Sequence, residues 1–234
     1  MTLITKFGYD RNGNLTSSTD ARNVTTTFEY DVLNRLRFTR VPGINENGSA
    51  VTISTENTYN SMGNVLTHKD ERGNATANTY SPMGFLTHVT DPSGGTSYFE
   101  YDLAGRLTAQ VSSRHYVQGA ALSGMPRQTF VYDNMDRVTE KREIYRTYGT
   151  NTMKTVISER LSYDKNGNII KMTDANDNAT NMLYDLANRL VSSTDPLLNK
   201  TLYSYDGLGR LKRQTNARGI HTDFVCLLSR PNPS

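Results

Sequence analysis

Tyr101-Asp102-Leu103-Ala104-Gly105-Arg106-Leu107 is a complete β-turn signature in seven residues. Asp102 has the side chain favoured at the first position of a type I turn, and Gly105 stands where the chain then needs a positive φ. A type I turn followed by a left-handed residue closes a hairpin with a small bulge. Leu107 becomes the first inward position of the returning strand. On the entering strand, Phe99 and Tyr101 alternate and put two large rings on one face.

The same stretch recurs along the chain. Its tyrosine returns at Tyr9, Tyr30, Tyr59, Tyr80, Tyr132, Tyr163, Tyr184 and Tyr205, in steps of 21 residues interrupted by steps of 29 and 31. Aspartate follows as Asp10, Asp31, Asp102, Asp133, Asp164, Asp185 and Asp206, while Asn60 and Ser81 replace it in two copies and can still form a side-chain turn bond. The fourth place holds Gly13, Asn34, Gly63, Gly84, Gly105, Asp136, Gly167, Asn188 and Gly209, all residue types that tolerate positive φ. Two places on stand Leu15, Leu36, Val65, Leu86, Leu107, Val138, Ile169, Leu190 and Leu211.

Eleven residues past the tyrosine comes a second turn, as in Asp20-Ala21-Arg22-Asn23, Asp70-Glu71-Arg72-Gly73, Asp91-Pro92-Ser93-Gly94, Asp174-Ala175-Asn176-Asp177 and Asn216-Ala217-Arg218-Gly219. Asp195-Pro196-Leu197-Leu198-Asn199 fits less well, with Leu198 where Gly or Asn is expected and Asn199 one place late. Extra residues in the longer copies, Val41 to Gly48, Gln118 to Gly124 and Tyr145 to Asn151, read as extended hairpin tips. Asn57 and Asn78 weaken the apolar face in two copies.

The fold class is therefore all-β: tandem antiparallel hairpins of about 21 residues forming a long curved ribbon. About eighteen strands at ~4.8 Å each would extend roughly 85 Å along the pairing direction, with the natural twist curling the ribbon. One face is expected to carry Tyr, Phe and Leu, with the tyrosine rings of neighbouring copies stacked; the other face is expected to be polar. Repeats occupy residues 1–226, where Cys226 reads as a substituted repeat tyrosine, and 227–234 form a truncated tail. Incomplete repeats at both ends suggest a fragment of a longer protein.

Composition narrows the function. Only 35% of residues are hydrophobic and the mean hydropathy is negative, against a thick closed core. The net charge of +3 comes from 26 basic and 23 acidic residues with no block of either sign, so no nucleic-acid partner is expected. A single cysteine excludes an internal disulfide. No apolar run is long enough for membrane insertion, and no secretory leader is visible at the start.

Written as Tyr-Asp-x-x-Gly-[Asn/Arg]-Leu, the unit resembles the RHS (rearrangement hot spot) or YD repeat family, most closely in Tyr9 to Leu15, Tyr101 to Leu107 and Tyr205 to Leu211. The resemblance implies a spiralling ribbon that walls a hollow shell in a large secreted or surface protein. In bacterial members the shell houses a C-terminal toxin, and some repeats are linked to carbohydrate binding. Partners implied are the remaining repeats and the C-terminal domain of the parent; the alternative is a cell-surface adhesion module that binds glycans or a protein surface. The family's Asp-Pro-x-Gly-Leu signature is approached at Asp91 to Gly94, but Gly95 replaces the leucine and the register is that of an ordinary second turn.

No catalytic, cofactor or metal site is expected. Asp10-Arg11-Asn12-Gly13-Asn14 and Asp164-Lys165-Asn166-Gly167-Asn168 imitate the start of a calcium loop, but Leu15 and Ile169 stand where that loop needs glycine, and Ala21 and Ala175 supply no closing carboxylate. His68 and His88 read as equivalent positions in adjacent repeats, placing them near each other but without a third ligand; His115 and His221 are isolated. No nucleophile elbow or phosphate loop is present. Periodic tyrosines next to turns can bind sugars but are better explained as the packing of a ribbon.

Overall fold

The computed structural model describes residues 4–150 and 152–225, arranged as two compact units, Met1–Met125 and Pro126–Ser234. Cys226 and the tail from 227 to 234 lie outside the described residues. The first unit contains β1 (Lys6–Tyr9), β2 (Leu15–Thr19), β3 (Thr25–Tyr30), β4 (Leu36–Ile44), β5 (Ala50–Tyr59), β6 (Val65–Lys69), β7 (Ala75–Tyr80), β8 (Leu86–Thr90), β9 (Thr96–Tyr101) and β10 (Leu107–Val111). Each pairs antiparallel with the next.

The second unit repeats the plan with β11 (Arg127–Tyr132), β12 (Val138–Arg146), β13 (Met153–Tyr163), β14 (Ile169–Asp174), β15 (Ala179–Tyr184), β16 (Leu190–Thr194), β17 (Lys200–Tyr205), β18 (Leu211–Thr215) and β19 (His221–Asp223). Successive strands again pair antiparallel.

Every odd-numbered strand from β1 to β17 ends on a repeat tyrosine, and every even-numbered one begins on the apolar residue six places later. The cause is the turn. Gly8 faces Ser17, yet Tyr9 faces Leu15, so one residue is skipped as the chain leaves the turn. The same slip recurs at Tyr30, Tyr59, Tyr80, Tyr163, Tyr184 and Tyr205. This is the bulge that a left-handed residue after a type I turn produces. It aims each tyrosine onto the same face as its neighbours, because strand side chains alternate with period two.

Two of the three insertions lengthen hairpins as the sequence suggests. β4 and β5 remain paired out to Ile44 and Ala50, and β12 and β13 out to Arg146 and Met153. The third does not. β10 stops at Val111, and the chain then runs through turns and one 3-10 turn, Leu122–Gly124, before β11.

That inserted segment also changes the face expected to be polar. Ala109 and Val111 pair with Glu100 and Tyr98, which lie on the side opposite Tyr101, and Val111 is 1% exposed. With Met125 they are the buried apolar side chains among the described residues. Elsewhere among the described residues the apolar side chains are half-buried or exposed, as in a ribbon one sheet thick.

Candidate functional site

The repeated turns are the chemistry of this molecule. At each first turn the residue after tyrosine makes two kinds of bond. Its backbone carbonyl accepts the N–H three residues on, as from Gly13 to Asp10 at 3.2 Å, and its N–H reaches back across the hairpin, as from Asp10 to the Asn14 carbonyl at 2.9 Å. Its side-chain oxygen then accepts two more N–H groups: Asp10 Oδ1 takes those of Asn12 and Asn14, both at 2.9 Å. Asn60 reproduces both side-chain bonds, whereas Ser81 accepts from Phe85.

All nine fourth-place residues have positive φ, from 59° at Asn34 and Asn188, through 60° at Asp136, to 89° at Gly167. The donors hold every first-turn aspartate below its ordinary pKa. For Asp10 and Asp164 the leading cause is a side-chain hydrogen bond from Asn14 and Asn168; for Asp133 and Asp185 it is the guanidinium of Arg137 and Arg189. For Asp31, Asp102 and Asp206 it is the backbone N–H of Arg35, Arg106 and Arg210. Asp10 and Asp164 also accept from the amides of Asn14 and Asn168, so the oxygens a calcium ion would need already face N–H donors.

Between copies, tyrosine is held by its hydroxyl and its face. The hydroxyls of Tyr30, Tyr59, Tyr80, Tyr163 and Tyr205 donate to the carbonyls of Leu15, Leu36, Val65, Val138 and Leu190, the strand-opening residues of the preceding copy, at 2.6–3.0 Å. Asn57 and Asn78 support the packing they were expected to weaken, since their amides share the Leu36 and Val65 carbonyls with the tyrosines. Tyr184 departs from the pattern, its hydroxyl lying 3.8 Å from the Met182 sulfur.

The expected stacking of tyrosine on tyrosine is replaced by a cation lid. Arg35, Arg137 and Arg189 lie over the rings of Tyr59, Tyr163 and Tyr205, 4.5–4.7 Å from their centroids. Each guanidinium also grips the aspartate of its own turn, and those of Arg35 and Arg137 donate onward to the carbonyls of Asn60 and Asp164 in the next copy. A planar fork with five donors can do both, and its flat cation suits a ring face. Tyr101 is covered instead by Phe85, stacked at 5.3 Å.

At Asn14 and Asn168 in the fifth place, an amide ladder takes over. Asn12 and Asn14 both donate to Asn34 Oδ1, and Asn166 and Asn168 to Asn188 Oδ1. Asn34 and Asn188 are thus more than left-handed turn residues. The choice of Asn, Arg or Phe at the fifth place is visible in the sequence, but its meaning depends on the neighbouring copy, which no local reading supplies.

The second turns use the same bonds, including the one that looked irregular. Leu198 takes φ 64°, and Asn199 is in the correct place, donating its amide to Asp195 Oδ2 just as Asn74 and Asn178 do for Asp70 and Asp174. Asp91 to Gly94 is an ordinary member, with Gly94 at φ 89° and Asp91 accepting from Ser93 and Gly95. A side chain at position 95 would meet Asp91 Oδ2 at 2.7 Å and Ser113 at 3.1 Å, so glycine there makes room for the inserted segment.

Beneath that segment is a groove of about 470 Å³, lined by His88, Tyr116, Thr90, Thr96, Ser113 and Gln118 among others. His88 Nε2 and the Tyr116 hydroxyl are 2.9 Å apart, and Tyr98 stacks on Tyr116 at 5.7 Å. Burial holds the Tyr98 phenol above its ordinary pKa. Tyr98 and Tyr116 lie outside the tyrosine period, so no periodic signal marks them. His68 is not the equivalent of His88. His68 faces Asn57 on the repeat-tyrosine face, while His88 faces Thr79 on the other, because the two histidines sit nine and eight residues after their tyrosines. They cannot share an ion, and no metal-holding group of three occurs among the described residues.

The model of the RHS repeat matches residues 9–41, 80–117, 163–197 and 184–222, over half of the chain. No curated protein matches the chain in sequence. Among solved structures the fold is similar to TcdB2-TccC3-Cdc42, at 17% identity and a TM-score of 0.53 over 92% of this chain. It is also similar to TcdB2-TccC3 without its hypervariable C-terminal region, at 18% identity, 92% coverage and a TM-score of 0.52. A Tc holotoxin pore from Photorhabdus luminescens gives 18%, 91% and 0.52. In each case the match spans 13% of the solved chain.

Proposed function

This chain belongs to the RHS repeat family, and we propose that it is a non-catalytic length of wall in a larger secreted or surface protein, enclosing a C-terminal toxin or other cargo. Its role as a structural repeat follows from the family. The observation that supports a wall is the latch within each unit: tyrosine hydroxyl, guanidinium lid and amide ladder join neighbouring hairpins through groups supplied by both copies. The tyrosine, aspartate and glycine positions are then structural, and the partners are the remaining repeats and the cargo domain of the parent. One similar protein is described as lacking a hypervariable C-terminal region, in keeping with a conserved wall and a variable content.

The test is limited proteolysis of the parent protein with its native flanks. Retention of an intact C-terminal fragment, lost when Tyr163→Ala and Tyr205→Ala open the ribbon, supports enclosure. Equal cleavage of that fragment with and without an intact ribbon would remove it.

A second reading, glycan binding, is favoured by the groove beside His88, where hydroxyl and imidazole groups surround an aromatic ring. Glycan-array binding that disappears in Tyr116→Ala would support it, and an array with no ligand would dismiss it.

A further inference from the structure

The chain holds three Asn-Gly steps, Asn12-Gly13, Asn47-Gly48 and Asn166-Gly167. All three occupy the same place in a turn, asparagine third and glycine fourth, with the glycines at φ 85°, 77° and 89°. In each, the asparagine N–H donates to the side chain of the first turn residue, at 2.9 Å to Asp10, 3.1 Å to Asn45 and 2.9 Å to Asp164. The backbones are alike, and the side-chain amides differ.

The amides of Asn12 and Asn166 are held by the next copy, donating to Asn34 Oδ1 at 2.9 Å and to Asn188 Oδ1 at 3.0 Å. Asn47 is exposed, and its side-chain amide has no hydrogen-bond partner among the described residues. Its hairpin is also unsupported. β3 follows β4 only as far as Arg40, and β6 meets β5 only from Glu56, so residues 41–44 and 50–53 pair with each other alone. Two strands by themselves are marginal in water, so this tip opens more readily than the sheet behind it.

An asparagine before glycine carries an electrophilic amide carbon next to a backbone nitrogen that no side chain shields. In the opened tip the Gly48 nitrogen attacks Asn47 Cγ and gives up its proton, while the amide nitrogen takes a proton and leaves as ammonia. Water then opens the five-membered imide at either carbonyl, giving aspartate or isoaspartate, with nothing oxidised or reduced. We propose that Asn47 is a deamidation site with water as its co-reactant, and that the ladder to Asn34 and Asn188 protects the two equivalent steps. Isoaspartate routes the backbone through the side-chain methylene. It thereby separates the N–H groups of residues 47 and 49, which Asn45 Oδ1 holds together at 3.1 and 2.9 Å, and dismantles this turn. The proposal does not depend on enclosure of cargo.

The test is peptide mass mapping of the whole chain during incubation in mildly alkaline buffer. Asn47 should convert at least about fivefold faster than Asn12 or Asn166, the factor carried by one net hydrogen bond. Asn34→Gly keeps a residue suited to the left-handed turn and removes the acceptor, so it should speed Asn12 by about fivefold and leave Asn47 and Asn166 unchanged. Asn188→Gly should do the same for Asn166 alone. In urea the three rates should converge. Equal rates in the folded chain, indifference of Asn12 to Asn34→Gly, or an order that persists in urea would overturn the proposal; the last would assign the order to local sequence.

Discussion

Leu198 holds a backbone conformation that L-residues with large side chains rarely adopt, at φ 64° and with its side chain 82% exposed. The left-handed region costs such a residue about 1–2 kcal/mol, and little packing offsets it here. Leu198→Gly should therefore stabilise the chain by roughly 1 kcal/mol, less a small loss from the greater freedom of glycine in the unfolded state. A higher urea midpoint with an unchanged slope would show it. Gly105 is the opposite case. It has φ 82°, and an added Cβ would meet the Phe85 ring at 2.7 Å. Gly105→Val should cost at least ~2 kcal/mol, from backbone strain and displacement of Phe85 from Tyr101. Near-ultraviolet circular dichroism would report the lost ring packing. The glycine's backbone role is legible in the sequence because its neighbours repeat. Its closeness to Phe85 is not, because that contact joins two copies.

At the scale of the hairpin, the latch between copies predicts coupling. Arg137 covers Tyr163, whose hydroxyl bonds the Val138 carbonyl at 2.7 Å. In a double-mutant cycle of Arg137→Gln and Tyr163→Phe the two losses should not add, with a coupling on the order of 0.5–1 kcal/mol, typical of exposed cation–π and hydrogen-bonded pairs. Additive losses in denaturant unfolding would mean that the lid and the hydroxyl act separately. The turn aspartates give a pH dependence with a definite sign. Their pKa values are depressed on folding, so their contribution is present above the unfolded carboxylate value of about 3.9 and is lost as pH falls through the lower folded values. Melting temperature should be nearly level from neutral pH to about pH 5 and fall below about pH 4. Asn60, which makes the turn with an amide, indicates that Asp164→Asn should flatten that fall without abolishing the hairpin. Strands, turns and two of three insertions were readable because each is a local pattern. The path of residues 112–125 was not, because it depends on covering Ala109 and Val111 on the far face of a sheet.

Across the whole molecule, stability in a repeat array is close to a sum of unit and interface terms, so contacts between consecutive copies enter it directly. Phe7 and Tyr9, with no preceding copy among the described residues, are more than half exposed, and among those residues β1 pairs with β2 alone. The register of the copies could be read from the tyrosine period alone, and with it the all-β class. The arginine lids and the groove beside His88 arise only when copies are placed side by side. Electron cryomicroscopy of the full-length parent protein is the most direct measurement. The repeats of each unit are predicted to form wall around an interior that contains the C-terminal segment; repeats with that segment outside would contradict the account.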